Sequence, residues 1–325
     1  MGELFALLAA FSFACANVMV KKGTKEDAKD NGAFLSVLIT LFLAGMIVVG
    51  RGIFQGWTPL NNEGIWWFVL AGILTAFIGR TLLFTSIQHL GSVRASAIKR
   101  LNPFFAVLLG LIFLQESLNL WITLGIVLIF GSSAVLMLES VLIAQKNKMF
   151  MRETNDKTSQ MTDRDEKNSR HNTWLMKVKT FASFGYIYGI ISALAYAVGY
   201  VVRKEGLEEI PDPYLGTTVG AIVGILVFLI LSLFQKRYRQ SIQATFSSFR
   251  PWLFGAGIAT SFGQILYFAA LTHSGVSRVA VIASTDVIFT LFLSSIVFKT
   301  QENITKTVII ASITAMVGAG LIALG

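Results

Sequence analysis

Apolar residues fall into ten runs, at about 3 to 21, 32 to 54, 64 to 88, 93 to 115, 118 to 142, 183 to 203, 213 to 234, 252 to 272, 276 to 298 and 304 to 324. Each has about the 20 residues that a helix needs to cross roughly 30 Å of hydrocarbon. The pattern predicts an all-α integral membrane protein with ten transmembrane helices. One long polar stretch, residues 145 to 180, carries no apolar periodicity and is read as a mobile linker. It divides the chain into a first five-helix unit, 1–144, and a second, 181–325.

The two units repeat each other. At an offset of 184, Gly79, Leu82, Phe84, His89, Gly91, Arg94, Ile98 and Phe105 fall on Gly263, Leu266, Phe268, His273, Gly275, Arg278, Ile282 and Phe289, so HxGxxR occurs twice between apolar runs. At an offset of 183, Gly2, Ala10, Ala14, Val18, Lys21 and Gly23 of the first run match Gly185, Ala193, Ala197, Val201, Lys204 and Gly206 of the sixth. Five is an odd number, so the second unit enters the bilayer from the opposite side and the repeats are inverted. Inverted repeats are a transporter architecture, with a site expected near the midplane between them.

Helical spacing selects the faces that meet. Ala95, Lys99, Asn102, Ala106 and Gly110 form one stripe on the fourth span, and Val279, Ala283, Asp286, Thr290 and Ser294 form its counterpart on the ninth. The first span offers Asn17 and Lys21, the sixth Tyr200 and Lys204, and the third and eighth the repeat pair Arg80 and Gln264. Lipid gives polar groups no partner, so these faces point to other helices or to a water-filled cavity. The fifth and tenth spans carry almost no polar groups and are placed at the periphery, or at a homodimer contact with a second copy.

Composition agrees with the pattern: 54% of the 325 residues are hydrophobic and 14% charged, with a mean hydropathy of +0.67. The formal net charge of +9 sits mostly in the connections, where it records orientation in a membrane, so nucleic acid is not an expected partner. Odd-numbered connections hold 20 Lys and Arg and even-numbered ones 4, with Arg203 and Lys204 counted among the latter. That bias places the odd connections in the cytoplasm and both termini outside. The single Cys15 permits neither an internal disulfide nor a cysteine-built metal cluster, and no cofactor is expected. The first run passes into KKGTKEDAKD with no small-residue cleavage site, which reads as a retained helix.

Arg80, Lys99 and Arg100 are cations within spans and Asp286 is the clear anion. One pair neutralises itself, which leaves positive charge for the carboxylate or phosphate of an organic anion. The competing reading has Lys99 and Arg100 snorkelling to headgroups and Arg80 paired permanently with Asp286. Asp286 is also a candidate proton carrier, or a site for amines and amino acids. Asn102, Gln264, Asn17 and Tyr200 complete the candidate substrate contacts. His89 and His273 read as interfacial helix caps, Glu116 and Glu302 as span-closing residues, and Asn303 as the start of a formal glycosylation triplet.

Ten spans in two halves, with NPFFAVLLGLIFLQES at 102 to 117 and DVIFTLFLSSIVFKTQE at 286 to 302, resemble the drug/metabolite transporter superfamily in its EamA-type branch. The resemblance implies a secondary transporter, an exporter or exchanger, working by alternating access in a plasma (inner) membrane, with both termini inside. IKRLNPFF is also similar to the helix of triose-phosphate translocators in which a Lys ahead of Pro-Phe-Phe helps bind phosphate, and Lys99 occupies that place. In the ninth span the likeness stops: Ala283 and Ser284 stand where those translocators carry a basic pair. The remaining alternative is a flippase or membrane-embedded enzyme acting on an anionic lipid, against which stands the lack of a nucleophile beside a base.

Overall fold

The computed structural model describes residues 1–24, 30–90, 92–99, 101–113, 119–128, 130–132 and 166–298, with scattered positions within 134–138 and 307–321. For 166–184 only the backbone is described. The helices are α1 (Gly2–Gly23), α2 (Ala33–Gln55), α3 (Asn62–Leu90), α4 (Ser92–Lys99), α5 (Leu101–Phe113), α6 (Leu120–Ser132), α7 (Glu166–Glu209), α8 (Pro213–Phe234), α9 (Lys236–Ser247), α10 (Pro251–His273), α11 (Val276–Ala283) and α12 (Asp286–Phe298). There is no strand among the described residues, and seven helical stretches are long and apolar enough to cross a membrane. The protein is a multi-pass integral membrane protein.

The termini of the second span in each unit are set by an aspartate. Asp30 and Asn31 accept from the N–H groups of Gly32 and Ala33 and so fix the turn that leads into α2, while Asp212 accepts from Tyr214 and Leu215 and caps α8, with Pro213 at its first position. Gly32 turns the chain at φ 79°, a left-handed conformation suited to glycine. Both aspartates also tie the units together. Asp30 takes Arg250 at 3.3 Å and Ser241 at 2.7 Å, and Asp212 takes Arg51 at 3.6 Å and Thr58 at 2.7 Å. Since successive helices alternate direction, these two Asp–Arg latches lie at opposite ends of the bundle.

Packing between the units follows a two-fold pattern. α1 lies against α10 and α12, as α7 lies against α3 and α5; α2 meets α10 as α8 meets α3; and α2 meets α8 directly. The repeat-equivalent glycines Gly2 and Gly185 make the same kind of contact. A side chain at Gly2 would run into Ser274, and a Cβ at Gly185 would come within 2.8 Å of Leu90. The described residues of the fifth and tenth spans expose Leu120, Trp121, Val127, Ile310, Ile313 and Val317, the apolar surface expected of a periphery.

The helices depart from the sequence pattern in four places. The helix carrying the sixth span starts at Glu166, inside the stretch read as a linker, and continues to Glu209, past the end of the apolar run. The ninth span is broken at Ser284 and Thr285. The third winds as a π-helix over Gly72–Gly79, a local widening frequent at functional sites. Between α8 and α10 an additional short helix, α9, is polar along one face and is held to the bundle by Tyr238, whose ring lies 5.8 Å from Phe77 and 5.7 Å from Phe228.

The π segment touches α8 backbone to backbone. A Cβ at Gly72 would lie 2.7 Å from the Cα of Gly220, whereas one at Gly220 would lie 3.4 Å from the Cα of Gly72. Both alanine substitutions gain helix propensity equally, so the contrast isolates the clash. Gly72→Ala is expected to leave the protein about 1–3 kcal/mol less stable than Gly220→Ala, read from paired unfolding curves in detergent.

Candidate functional site

The break in the ninth span creates the site. The N–H groups of Ser284 and Thr285 close a tight turn onto Ala280 and Ile282, and their hydroxyls fold back onto Val281 and Ile282 at 2.6 and 2.8 Å. A new helix then starts at Asp286, ten residues after Val276 and so near the middle of the span. A helix N-terminus favours a negative charge, and this one carries a carboxylate of its own. Across from it, α4 ends at Lys99, whose Nζ lies 3.1 Å from Asp286 Oδ2, with the two side chains only 12% and 4% exposed. The ammonium also sits 4.6 Å from the Phe13 ring centroid and 5.9 Å from that of Tyr196, close enough for cation–π attraction.

Two hollows meet at this lysine. One, of about 310 Å³, is lined by Phe13, Lys99, Asn102, Tyr200, Tyr267, Ala280, Ala283, Ser284 and Asp286. The other, of about 280 Å³, is bounded by Asn17, Leu83, Phe84, Tyr196, Thr260 and Gln264 among others, and shares Phe13, Lys99 and Tyr200 with the first. Tyr200 stacks on Tyr267 at 4.1 Å, and Tyr196 lies 5.7 Å from Tyr200. Asn102 Nδ2 and Gln264 Oε1 are buried without a hydrogen-bond partner, one donor and one acceptor at the walls of the two hollows.

The lining is two-fold in position and asymmetric in chemistry. Phe13 and Tyr196, Asn17 and Tyr200, Asn102 and Asp286, and Lys99 and Ala283 are repeat equivalents, and all eight line one hollow or both. Where one unit supplies a cation the other supplies a methyl group, and where one supplies an amide the other supplies a carboxylate. Each ion of the central pair therefore comes from a different unit.

Of the residues the sequence singled out, Lys99, Asn102, Asp286, Asn17, Tyr200 and Gln264 come together here. Lys99 does not snorkel, because Asp286 holds its head group. Arg80 is not the partner of Asp286. It is 1% exposed, and its Nη1 donates to Thr40 Oγ1 at 3.0 Å and Ser36 Oγ at 3.4 Å, with Thr40 bonded in turn to Ser261 at 2.9 Å. The guanidinium faces the α2 hydroxyls, which solvate it in place of a carboxylate. Arg100, Glu116, Glu302 and Asn303 lie outside the described residues. Lys204 reaches the end of α10 and donates to the Leu271 carbonyl at 3.2 Å, where a cation suits the helix C-terminus. His273 is the last residue of α10 and His89 lies in the last turn of α3.

The sequence reading assigned Arg203 to a connection, and the structure buries it within α7 at 3% exposure. The signal was present: Tyr196, Tyr200, Arg203 and Leu207 follow 4, 3, 4 spacing, and all four are buried. The cation-rich RKEG ending obscured it by resembling a helix terminus.

The sequence model of the EamA-like transporter family matches the chain twice, over residues 1–138 and 183–324. The pseudopaline exporter CntI of Pseudomonas aeruginosa is 26% identical over 130 residues, which are 39% of this chain and 44% of that protein. An uncharacterized transporter of Clostridium kluyveri is 30% identical over 138 residues, 41% of this chain and 43% of its own length. The chain thus spans less than half the length of the curated relatives it matches. Among solved structures, a protein crystal structure aligns over 98% of both chains with a TM-score of 0.58 at 13% identity, a likeness of fold.

Removing one member of a buried ion pair strands the other, at a cost of about 3–5 kcal/mol. Lys99→Ala is expected to lower stability at neutral pH toward that range, and adding Asp286→Asn is expected to recover most of the loss. A double-mutant cycle of unfolding in detergent checks this; additive losses would mean the two groups do not pair.

Proposed function

Because the chain belongs to the EamA-like transporter family, we propose that it is a secondary transporter that moves a small organic anion through the hollow between its two units by alternating access. The observation that carries the reading is the Lys99–Asp286 pair at 3.1 Å. An acidic substrate competes with Asp286 for Lys99, so the pair is exchangeable rather than merely structural. Asn102 Nδ2, buried without a partner, is a second donor on the same wall. The Asp–Arg latches at the two ends, Asp30–Arg250 and Arg51–Asp212, would open in turn, giving the hollow access to one side at a time.

The pair also supplies a coupling device. Protonating Asp286 cancels its hold on Lys99 and frees the ammonium for the substrate, so proton and anion enter the cycle together. Relatives named as transporters support this reading over an enzyme, and no covalent step is assigned to the site. A second reading is favoured by the aromatic rings of Phe13, Tyr200 and Tyr267 that share the hollow with Asp286: an amine could displace Lys99 from the carboxylate and rest against their faces.

A thermal-shift screen of the purified protein against phosphorylated, carboxylated, zwitterionic and cationic metabolites separates the two, since a ligand that binds the folded form alone raises apparent stability. Anions are expected to raise the melting temperature of the natural protein and not that of Lys99→Ala, each measured from its own unliganded baseline. Stabilisation by amines that survives in Lys99→Ala would move the site to Asp286 and overturn the anion reading. In proteoliposomes, Asp286→Asn is expected to lose accumulation driven by a pH gradient while keeping substrate exchange. Uptake by that variant with the pH dependence of the natural protein would remove Asp286 from coupling.

A further inference from the structure

Arg203 lies one aromatic ring away from the central hollow, and the site described so far does not use it. Its Nη2 donates to Thr75 Oγ1 at 2.6 Å, and its guanidinium carbon lies 4.2 Å from the Phe268 ring centroid and 5.8 Å from that of Tyr200. Thr75 belongs to the π segment of α3 and itself donates to the Ala71 carbonyl at 2.7 Å. The close approach of α3 and α7 at this level depends on Gly199, where a side chain would run into Thr75. The arginine is therefore held in one orientation by a widened helix turn, a hydroxyl and a ring face.

What it holds out is unused. Nε and Nη1 are buried without a hydrogen-bond partner, and no carboxylate pairs with Arg203 among the described residues. A guanidinium offers five N–H groups in a fixed fork and accepts nothing, so a buried one with two idle nitrogens calls for an anion. The stacked pair Tyr200 and Tyr267 lines the hollow, and Tyr200 also faces Arg203. Tyr200 thus borders both the arginine and the hollow that Lys99 lines.

Resting on the transport reading above, we propose that Arg203 is a second substrate-recognition residue, which takes one acidic group of the substrate when the Tyr200–Tyr267 stack parts while Lys99 takes another. The transported class is then organic anions with two acidic groups, such as dicarboxylates. With Asp286 protonated, Lys99 and Arg203 present two positive charges to a dianion, while Arg80 keeps its Nη1 on the α2 hydroxyls.

The test uses the full chain in detergent at neutral pH and measures half-maximal thermal stabilisation by matched probes, propionate against succinate and butyrate against glutarate. The natural protein is expected to respond to each dianion at a concentration at least tenfold below its monoanion. Arg203→Gln is expected to bring the two together by weakening the dianion and leaving the monoanion unchanged. Arg203→Lys, which keeps a cation for the Phe268 face, is expected to fold and to lose about threefold for the dianions alone. A natural protein without the dianion preference, or an Arg203→Gln variant that folds and keeps it, overturns the proposal. Monoanion stabilisation that vanishes in Lys99→Ala while the ratio ignores Arg203 sinks this inference and leaves the transport reading standing. Stabilisation by none of the four probes in the natural protein sinks both.

Discussion

A charged side chain in the middle of a bilayer needs an opposite charge or hydrogen-bonding groups beside it, and for Lys99 the opposite charge comes from the other half of the chain. Lys99 and Asp286, both more than 85% buried and 3.1 Å apart, join the two units where the ninth span is broken. The broken ninth helix, the aromatic rings around the ammonium and the idle amides of Asn102 and Gln264 are arranged about that contact.

The duplication supplies the geometry and its divergence supplies the chemistry. Asn102 and Asp286 occupy equivalent places on equivalent helices, yet one is an amide and the other an acid, and the same holds for Lys99 and Ala283. A two-fold arrangement of identical groups would set like charges against each other, which a low-dielectric site penalises. Unlike groups at matched positions give a polarised cavity on a symmetric frame. At the ends, each unit lends one aspartate to an ion pair with an arginine of the other.

Hydrophobic pattern and repeat made much of this legible from sequence. Span boundaries for 32 to 54, 213 to 234 and 252 to 272 agree with α2, α8 and α10 to within one residue, because length and apolarity alone decide them. The 4, 3, 4 stripes placed Lys99, Asn102 and Asp286 on inward faces, since small and polar residues in a membrane helix have nowhere else to go. Partner choice was not legible. The competing reading paired Arg80 with Asp286, and only the turn of α3 toward the hydroxyls of Ser36 and Thr40 excludes it. Arg203 was hidden by the charges that follow it. The π turn at Gly72–Gly79 lies where Gly72 meets Gly220 of α8 backbone to backbone, a contact between distant parts of the chain that the hydrophobic pattern does not display.

The central claim is that Lys99 exchanges Asp286 for the substrate. An experimental structure of the protein saturated with its transported anion tests it most directly, through the distances from Lys99 Nζ to the ligand and to Asp286. An acidic oxygen of the ligand within hydrogen-bonding distance of Nζ, with the carboxylate displaced beyond 4 Å, is the predicted result, that limit being the conventional reach of an ion pair. A ligand seated in the hollow with the Lys99–Asp286 pair still intact would contradict it.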